Sequence, residues 1–337
     1  MHSSHRQTGL MLNHTLTCCA DSDCSVTATT TLTDAAAASS LASACPTFTG
    51  DIAIGTDVSG DLTLDGMQEL DGSLLINNVT QLTAISSDSL VNITENLSLA
   101  ALTILSTFSF SKLSSIGTLS LTSLPAAQSL SFLQTLQQLS AIEIQNTQLN
   151  SLEGFSLDTI SDVTIGGCIR ELRDFRPRPV LSADRDERAT ANNYYLNTIN
   201  LQPYNLTGRL VIEANGRDLE VSMPNIVFAQ NMTFRNCTSI SFPSITQVNG
   251  SLGLYGNYIT EFNGAPLLRA VDGGLSFVSN YAMANISLPE LQTVAGGFQV
   301  ANNTNLTTLD ELYSLKLISG AVDLDGNFTE WVKLCHA

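Results

Sequence analysis

A short alternation of hydrophobic and polar positions recurs along most of this chain. Each copy begins with Gly or a polar residue, continues as hydrophobic-x-hydrophobic, and often ends in Asn, as in GDLTLDG at 60, GSLGLYGN at 250 and GGFQVANN at 296. Alternation with a period of two predicts a β-strand with one buried face. The first hydrophobic residues of the copies are Leu62, Leu74, Leu97, Leu119, Ile142, Val163, Leu210, Met232, Leu252, Leu275, Phe298 and Val322.

The spacing of these copies indicates the fold. Most intervals, taken as differences between residue numbers, lie between 20 and 24, with a shorter one of 12 before Leu74 and a gap of 47 after Val163. Such a period is typical of a solenoid, whose turns bury their apolar faces only against their neighbours. The sequence predicts a mainly β fold, a right-handed parallel β-helix similar to a leucine-rich-repeat solenoid, over 49–329. The residues expected to point inward are Leu62, Leu64, Leu119, Leu121, Ile142, Ile144, Leu210, Ile212, Leu252, Leu254, Leu275, Phe277, Phe298 and Val300.

Asparagine follows the predicted strands at a nearly constant offset, the fourth or fifth position after the first hydrophobic residue. Asn in a turn satisfies unpaired backbone groups, and stacked Asn side chains can bond along a solenoid. We predict a ladder with a structural rather than a catalytic role. Its members are Asn146, Asn215, Asn236, Asn257, Asn280, Asn302 and Asn327.

The segment 24–48 differs from the repeats. Thr33 or Asp34 is a suitable helix N-cap, and the Ala-rich run after it predicts a short helix ending before Pro46. Because a solenoid needs its first turn covered, we predict an N-terminal cap closed by a Cys24–Cys45 disulfide, with two unrelated thiols as the alternative. Residues 1–23 are expected to be disordered and a non-native start, and residues 330–337 a separate tail.

Composition excludes several classes of function. The chain has 31 Asp and Glu against 14 Lys and Arg, a formal charge of −17, which disfavours nucleic-acid binding. All four His lie outside the repeats, and there is no C-x-x-C pair, P-loop or dinucleotide fingerprint. We therefore expect no cofactor and no metal site. The sequence leaves the pairing of the remaining cysteines open, namely Cys18, Cys19, Cys168, Cys237 and Cys335.

Twelve N-x-[ST] sequons indicate passage through a secretory pathway; an Asn- and Thr-rich cytosolic chain is the alternative. We expect Asn78, Asn205, Asn249 and Asn285 to be better occupied than Asn236 or Asn327, on the reasoning that a ladder side chain cannot carry a sugar. The predicted glycosylation sites are Asn78, Asn92, Asn96, Asn205, Asn231, Asn249, Asn285 and Asn305.

The segment 168–191 holds six of the chain's basic side chains and two prolines. That composition suits a solvated segment rather than a buried strand. Removing the segment would leave an interval of 23 between Val163 and Leu210 and would restore the Asn offset. We predict a disordered insertion, either a retained short intron or an exposed loop.

The C-x20-C cap, the P-x-L-x-x-V-x-G-G-F-x-V-x-N-N repeat and the sequons resemble the fungal GPI-anchored cell-wall organisation proteins of the receptor-L-domain type, the extracellular-matrix and sporulation-specific family. The resemblance covers roughly 24–167 and 192–329, and stretches such as NISLPELQTVAGGFQVANNTNL (285–306) carry it. It implies a receptor-L-domain-like fold and a secreted glycoprotein at the plasma membrane or wall, membrane-bound only through a GPI anchor. We expect the sequence as written to lack both the signal peptide and the GPI signal of that family.

The function that the resemblance implies is cell-wall organisation and integrity without catalysis, with wall glycans or wall proteins as partners. A carbohydrate- or protein-binding receptor or adhesin is the nearer alternative. A β-helix glycosidase would need paired carboxylates as acid and base. The candidate pairs are Asp61 with Asp65 and Asp323 with Asp325.

Overall fold

The computed structural model describes residues 24–130, 136–155, 157, 159–166 and 193–329. The fold is mainly β, with 48% strand and 4% helix, and its parallel strands form a solenoid of about 11 turns. This confirms the predicted class of fold, while the hand of the coil stays a prediction. The segment 1–23 and the predicted tail 330–337 both lie outside the described residues.

One α-helix and 29 strands make up the described regular structure. The helix is α1 (Ala35–Ala44). The strands are β1 (Thr30–Leu32), β2 (Thr47–Thr49), β3 (Ile52–Ile54), β4 (Ser59–Thr63), β5 (Glu69–Asp71), β6 (Leu74–Asn77), β7 (Gln81–Ser87), β8 (Asn92–Ala100), β9 (Thr107–Phe110), β10 (Ser115–Leu124), β11 (Gln138–Thr147), β12 (Ser151–Phe155), β13 (Thr159–Ile160), β14 (Asp162–Ile165), β15 (Thr198–Leu201), β16 (Asn205–Ile212), β17 (Leu219–Ser222), β18 (Phe228–Arg235), β19 (Cys237–Ser241), β20 (Gln247–Val248), β21 (Leu252–Tyr255), β22 (Glu261–Phe262), β23 (Ala270–Val271), β24 (Leu275–Val278), β25 (Asn285–Ile286), β26 (Thr293–Val294), β27 (Phe298–Ala301), β28 (Leu317–Ile318) and β29 (Val322–Asp325).

A 20-stranded parallel sheet runs the length of the solenoid, and smaller sheets of four, three and two strands form its other face. The register of the large sheet stacks equivalent hydrophobic residues of successive turns. The stacked column is Ile52, Leu74, Leu97, Leu119, Ile142, Val163, Leu210, Met232, Leu252, Leu275, Phe298 and Val322.

Leu62 is not the first member of this column, contrary to the sequence-based phasing. It lies on β4 and pairs with Ile85 of β7, in the three-stranded sheet of the other face. Ile52 takes its place, one regular interval before Leu74. The irregular interval of 12 therefore arose because strands on both faces carry hydrophobic-x-hydrophobic alternation.

The core is a continuous column of apolar side chains. Every residue predicted to point inward is buried, at 2% exposure or less. Phe234, Phe242, Phe262 and Phe277 contact one another in sequence, with ring centroids 5.8, 5.9 and 5.4 Å apart. Val322 is 50% exposed because it lies on β29, the last described strand, with no described turn packed beyond it.

A column of glycines marks the corner that leads into the strands of the C-terminal turns. A Cβ on Gly296 would lie 2.5 Å from the carbonyl carbon of Gly273, and one on Gly320 would lie 2.4 Å from that of Gly296. Backbones this close leave no room for a side chain. The Gly-Gly signal in the sequence therefore reflects close approach between successive turns.

The N-terminal segment folds as a cap joined to the first turn. Asp34 is the N-cap of α1, and its carboxylate accepts a hydrogen bond of 2.7 Å from the Ala37 N–H. Cys24 and Cys45 form the predicted disulfide, with Cα atoms 5.6 Å apart. Strands β1 and β2 flank the helix and pair with β3 and β5. The cap therefore supplies both a helix and the first strands of the large sheet.

Candidate functional site

In most turns of the C-terminal half of the solenoid, a buried asparagine follows the strand of the large sheet. Asn257 and Asn280 occupy the fifth position after the first strand hydrophobe, as does Asn303. The Oδ1 atom of Asn280 accepts from the backbone N–H of Asn257 at 2.9 Å and from its Nδ2 at 3.0 Å. Asn303 repeats the backbone contact one turn later, accepting from the Asn280 N–H at 2.9 Å. The Nδ2 atom of each of these side chains also donates to a strand carbonyl, those of Phe234, Leu254 and Phe277.

The same ladder continues toward the N-terminus through Thr147, Asn193 and Asn215. Asn193 Oδ1 accepts from the backbone N–H and the hydroxyl of Thr147, at 3.0 and 2.9 Å, across 46 residues of sequence. Its Nδ2 donates to Asn215 Oδ1 at 2.9 Å. Asn193 was missing from the predicted ladder because the long gap after Val163 hid its offset.

Three predicted members, Asn146, Asn236 and Asn302, do not belong to the ladder. They take the fourth position, where the backbone is left-handed with φ of 51°, 59° and 55°, and their side chains lie outside the core. Asn is one of the few non-glycine residues that tolerate this conformation. Asn327 is also outside the ladder: it is exposed, and its Nδ2 donates to the Thr304 carbonyl. Of the predicted members, Asn215, Asn257 and Asn280 are buried and belong to the ladder.

The hydrogen-bonding groups of the ladder side chains are already paired within the protein. Its amides bond to one another and to buried backbone groups, so they are not available to a ligand. Cys237 takes the ladder position in one turn, and burial raises the pKa of its thiol, which disfavours the reactive thiolate. The ladder residues therefore stabilise the turns and offer no catalytic group.

The predicted carboxylate pairs lie on the surface and are engaged locally. Asp61 accepts from the Thr83 hydroxyl at 2.6 Å, and Asp65 accepts from the Asp88 N–H at 3.0 Å. Asp323 accepts from Gln299 Nε2 at 2.9 Å, and Asp325 is exposed beside it on β29. No cluster of three or more His, Cys, Asp or Glu suited to a metal occurs among the described residues.

A cavity of about 590 Å³ opens beside β11. Its lining contains no acid, base or thiol, so it does not provide the groups of a hydrolytic site. The lining residues are Gln137, Gln138, Leu139, Ser140, Thr159, Ser161 and Thr207.

The eight predicted glycosylation sites are exposed or half-buried. Several amide nitrogens, to which a sugar would attach, are hydrogen-bonded: Asn285 Nδ2 donates to Glu311 at 2.9 Å, and Asn92 Nδ2 donates to Glu69 at 3.1 Å. Hydrogen bonds from Ser287 and then Asn285 hold the pKa of the Glu311 carboxyl below its usual range. The sites on strands of the large sheet are Asn92, Asn96, Asn205 and Asn231; Asn249 follows β20, Asn78 and Asn305 lie in turns, and Asn285 lies on β25.

Exposed tyrosines next to the ladder were missed in the sequence. Three of them directly follow a ladder residue, in the dipeptides Asn193-Tyr194, Asn257-Tyr258 and Asn280-Tyr281. The recurrence of Asn-Tyr was a usable signal. We define the tyrosine row as Tyr194, Tyr195, Arg217, Tyr258 and Tyr281.

The predicted insertion at 168–191 lies outside the described residues, but its flanks are in register. Strand β14 pairs with β16, so the turns before and after it are neighbours. Asn193 stands where position 168 would stand in an uninterrupted repeat. The segment in excess of the repeat is therefore 168–192 rather than 168–191, and without it the interval of 47 becomes 22.

The comparisons place the chain among fungal surface proteins. It is 38% identical over 290 residues to a cell surface GPI-anchored protein of Arthroderma benhamiae, covering 86% of this chain and 68% of that protein. It is 33% identical to protein ecm33 of Aspergillus fumigatus and 25% identical to sporulation-specific protein 22 of Saccharomyces cerevisiae, covering 67% and 86% of this chain. In these two, it spans 50% and 58% of the relative's own length. No family model matches.

A solved structure, the pneumococcal vaccine antigen PcpA, aligns with a TM-score of 0.18 at 12% identity over 90% of each chain. Within the described residues, none of the helical structure reaches the length and apolarity that crossing a bilayer would require.

Proposed function

The chain belongs to the family of fungal GPI-anchored cell-surface and cell-wall proteins that includes the ecm33 proteins, and from this we propose that it organises the cell wall and maintains its integrity without catalysis. The observation that carries the proposal is the 38% identity over 86% of the chain. Its place of action would be the outer cell surface, and its partners wall glycans or wall proteins.

The architecture suits this role. About 11 turns at a strand spacing of roughly 4.8 Å make a rod on the order of 50 Å long. Its turns are fastened by a continuous core and the Asn ladder, so it can hold attached groups at fixed separations. A rod of this kind acts as a stiff spacer between wall components.

We further propose that the rod is N-glycosylated. Asn78, Asn236 and Asn302 share the left-handed turn position outside the core. We therefore expect all three to carry N-glycans to a similar extent. We now expect a glycan less often at Asn285, whose amide nitrogen donates to Glu311. This reverses the order expected from the sequence, because Asn236 lies outside the ladder. Glycopeptide mapping of the secreted protein measures both, and a lower occupancy at Asn236 than at Asn285 would contradict this reasoning.

The test of the wall role is deletion of the complete gene in its fungus. We expect hypersensitivity to wall-binding dyes, restored by the wild-type gene. A variant with Asp61, Asp65, Asp323 and Asp325 all replaced by Ala, which creates no new N-x-[ST] sequon, should restore resistance equally well, because no carboxylate chemistry is required. Normal dye resistance in the deletion strain would refute the wall role. Failure of the four-Ala variant would favour a glycosidase, provided that the variant folds and is secreted like the wild type.

A further inference from the structure

The tyrosine row lies along one edge of the solenoid, at the turn between the large sheet and the opposite face. Tyr195 is 53% exposed and Tyr281 60% exposed, with Tyr194 and Tyr258 partly exposed. Tyr258 and Tyr281 occupy consecutive turns, because Leu252 of the first turn stacks on Leu275 of the next. The row crosses five turns, or about 19 Å at roughly 4.8 Å per turn.

Arg217 packs against one tyrosine of the row. Its guanidinium carbon lies 5.7 Å from the centroid of the Tyr258 ring, a cation–π distance. Arg217 reaches Tyr258 across the intervening turn, while Tyr194 and Tyr195 pack edge to face at 5.1 Å on the turn before it. The five side chains come from four of the five turns and lie at equivalent positions along one edge, and we call this edge the strip.

The backbone beneath the strip is fixed. The Gly216 N–H donates to the Asn193 carbonyl at 3.2 Å, and the Tyr258 N–H donates to the Cys237 carbonyl at 2.8 Å. The Thr304 hydroxyl donates to the Tyr281 carbonyl at 3.3 Å. Together with the buried Asn ladder, these bonds fix the backbone from which the exposed rings project, so binding need not order that backbone.

The chemistry of the row indicates its ligand. Tyrosine combines an apolar ring face with a polar hydroxyl and loses little conformational freedom on binding. The acidic balance of the chain, −17, disfavours polyanions. A strip one side chain wide is also narrower than the patch of about 800 Å² per partner that a stable protein complex buries. A linear neutral polymer fits a row that repeats along the rod better than a protein does.

We propose that the tyrosine row binds a neutral β-linked polysaccharide, with sugar rings stacked on Tyr258 and Tyr281 and Arg217 bonding to sugar hydroxyls. A β-linked glucose or N-acetylglucosamine ring presents flat C–H faces that pack against aromatic rings. This inference rests on the proposed wall function and names the ligand class for it.

The experiment is a pull-down and titration with the secreted full chain after enzymatic removal of its N-glycans. The probes are insoluble β-glucan, chitin, an α-linked mannan and a soluble β-glucan oligosaccharide. We expect binding to β-glucan or chitin but not to mannan. The double variant Tyr258→Ala/Tyr281→Ala should lower the affinity at least tenfold with an unchanged melting temperature, whereas Tyr258→Phe should retain it.

Tyr204→Ala/Tyr313→Ala is the matched control, since these tyrosines are 53% and 72% exposed outside the row. This control should bind like the wild type. Equal binding by both double variants, preferential binding to mannan, or absence of binding to any β-linked probe would overturn the proposal. If the chain binds no polysaccharide yet restores dye resistance in the deletion strain, the tyrosine-row proposal fails and the wall role stands. If the chain binds a β-linked polysaccharide through the row but does not restore dye resistance, the tyrosine-row proposal stands and the wall role fails.

Discussion

Replacing Asn280 with leucine tests whether the ladder stabilises the solenoid. Asn280 is fully buried, and its side chain makes three hydrogen bonds: two accepted from Asn257 and one donated to the Leu254 carbonyl. Leucine fills a similar volume but leaves the Asn257 N–H and one amide hydrogen of Asn257 without acceptors. A buried unsatisfied group costs about 1–3 kcal/mol, so we expect a loss of about 3 kcal/mol in the free energy of unfolding.

Thermal unfolding of the purified chain followed by circular dichroism measures this effect. A loss of this size should lower Tm by roughly 4 °C for a chain of this length. Asn302→Gly is the control, because Asn302 is exposed in the adjacent left-handed position and glycine tolerates its φ of 55°. The control should change stability by less than about 0.5 kcal/mol.

A double-mutant cycle makes the test specific to the ladder. Because Asn257 and Asn280 satisfy each other, Asn257→Leu and Asn280→Leu together should cost less than the sum of the single effects. Additive effects, or an Asn280→Leu variant that melts with the wild type while Asn302→Gly does not, would refute the ladder's stabilising role.

Three further predictions concern other parts of the rod. Gly296→Ala should lower stability by about 1–3 kcal/mol, because its Cβ would meet Gly273, whereas Gly297→Ala, whose Cβ lies 3.4 Å from its nearest neighbour, should cost less in a urea titration. Cys45→Ala should cost about 3 kcal/mol through loss of the disulfide, a difference that should be absent when both proteins are melted under reducing conditions. Deleting 168–192 should leave Tm unchanged or higher because the flanking turns are already in register; a drop of several degrees would contradict this.

The repeat architecture could be predicted because it depends on backbone geometry alone. Period-two alternation at a nearly regular interval identified the stacked strands, and each of the predicted inward positions is buried. The phase of the first turn could not be found this way, since Leu62 on the smaller sheet and Ile52 on the large one sit in equally good hydrophobic-x-hydrophobic patterns. Only the pairing partners distinguish the two faces.

The ladder was harder to predict because two Asn positions with different physical causes lie side by side. Asn302 is selected by a left-handed backbone and Asn303 by buried hydrogen bonds. Both positions hold asparagine, so the sequence alone does not distinguish them. The hydrogen bonds made by each side chain do. Asn193 could not be predicted as a ladder member for another reason. Its partner Thr147 lies 46 residues away in sequence, on the other side of the extra segment.

The position of the ladder divides the rod into two halves with different surfaces. In the N-terminal turns the same inward position holds Val79, Leu102 and Leu124, and it is followed by Thr80, Thr103 and Pro125. Where asparagine replaces the apolar residue, tyrosine follows it in three turns of the C-terminal set. An apolar turn residue gives its backbone no side-chain hydrogen bonds, whereas each ladder Asn fixes the turn from inside. The backbone that carries the exposed rings is fixed by these buried bonds, so we expect polysaccharide binding to be lost on substitution of the tyrosines in the C-terminal half and retained on substitution of Thr80 and Thr103 in the N-terminal half.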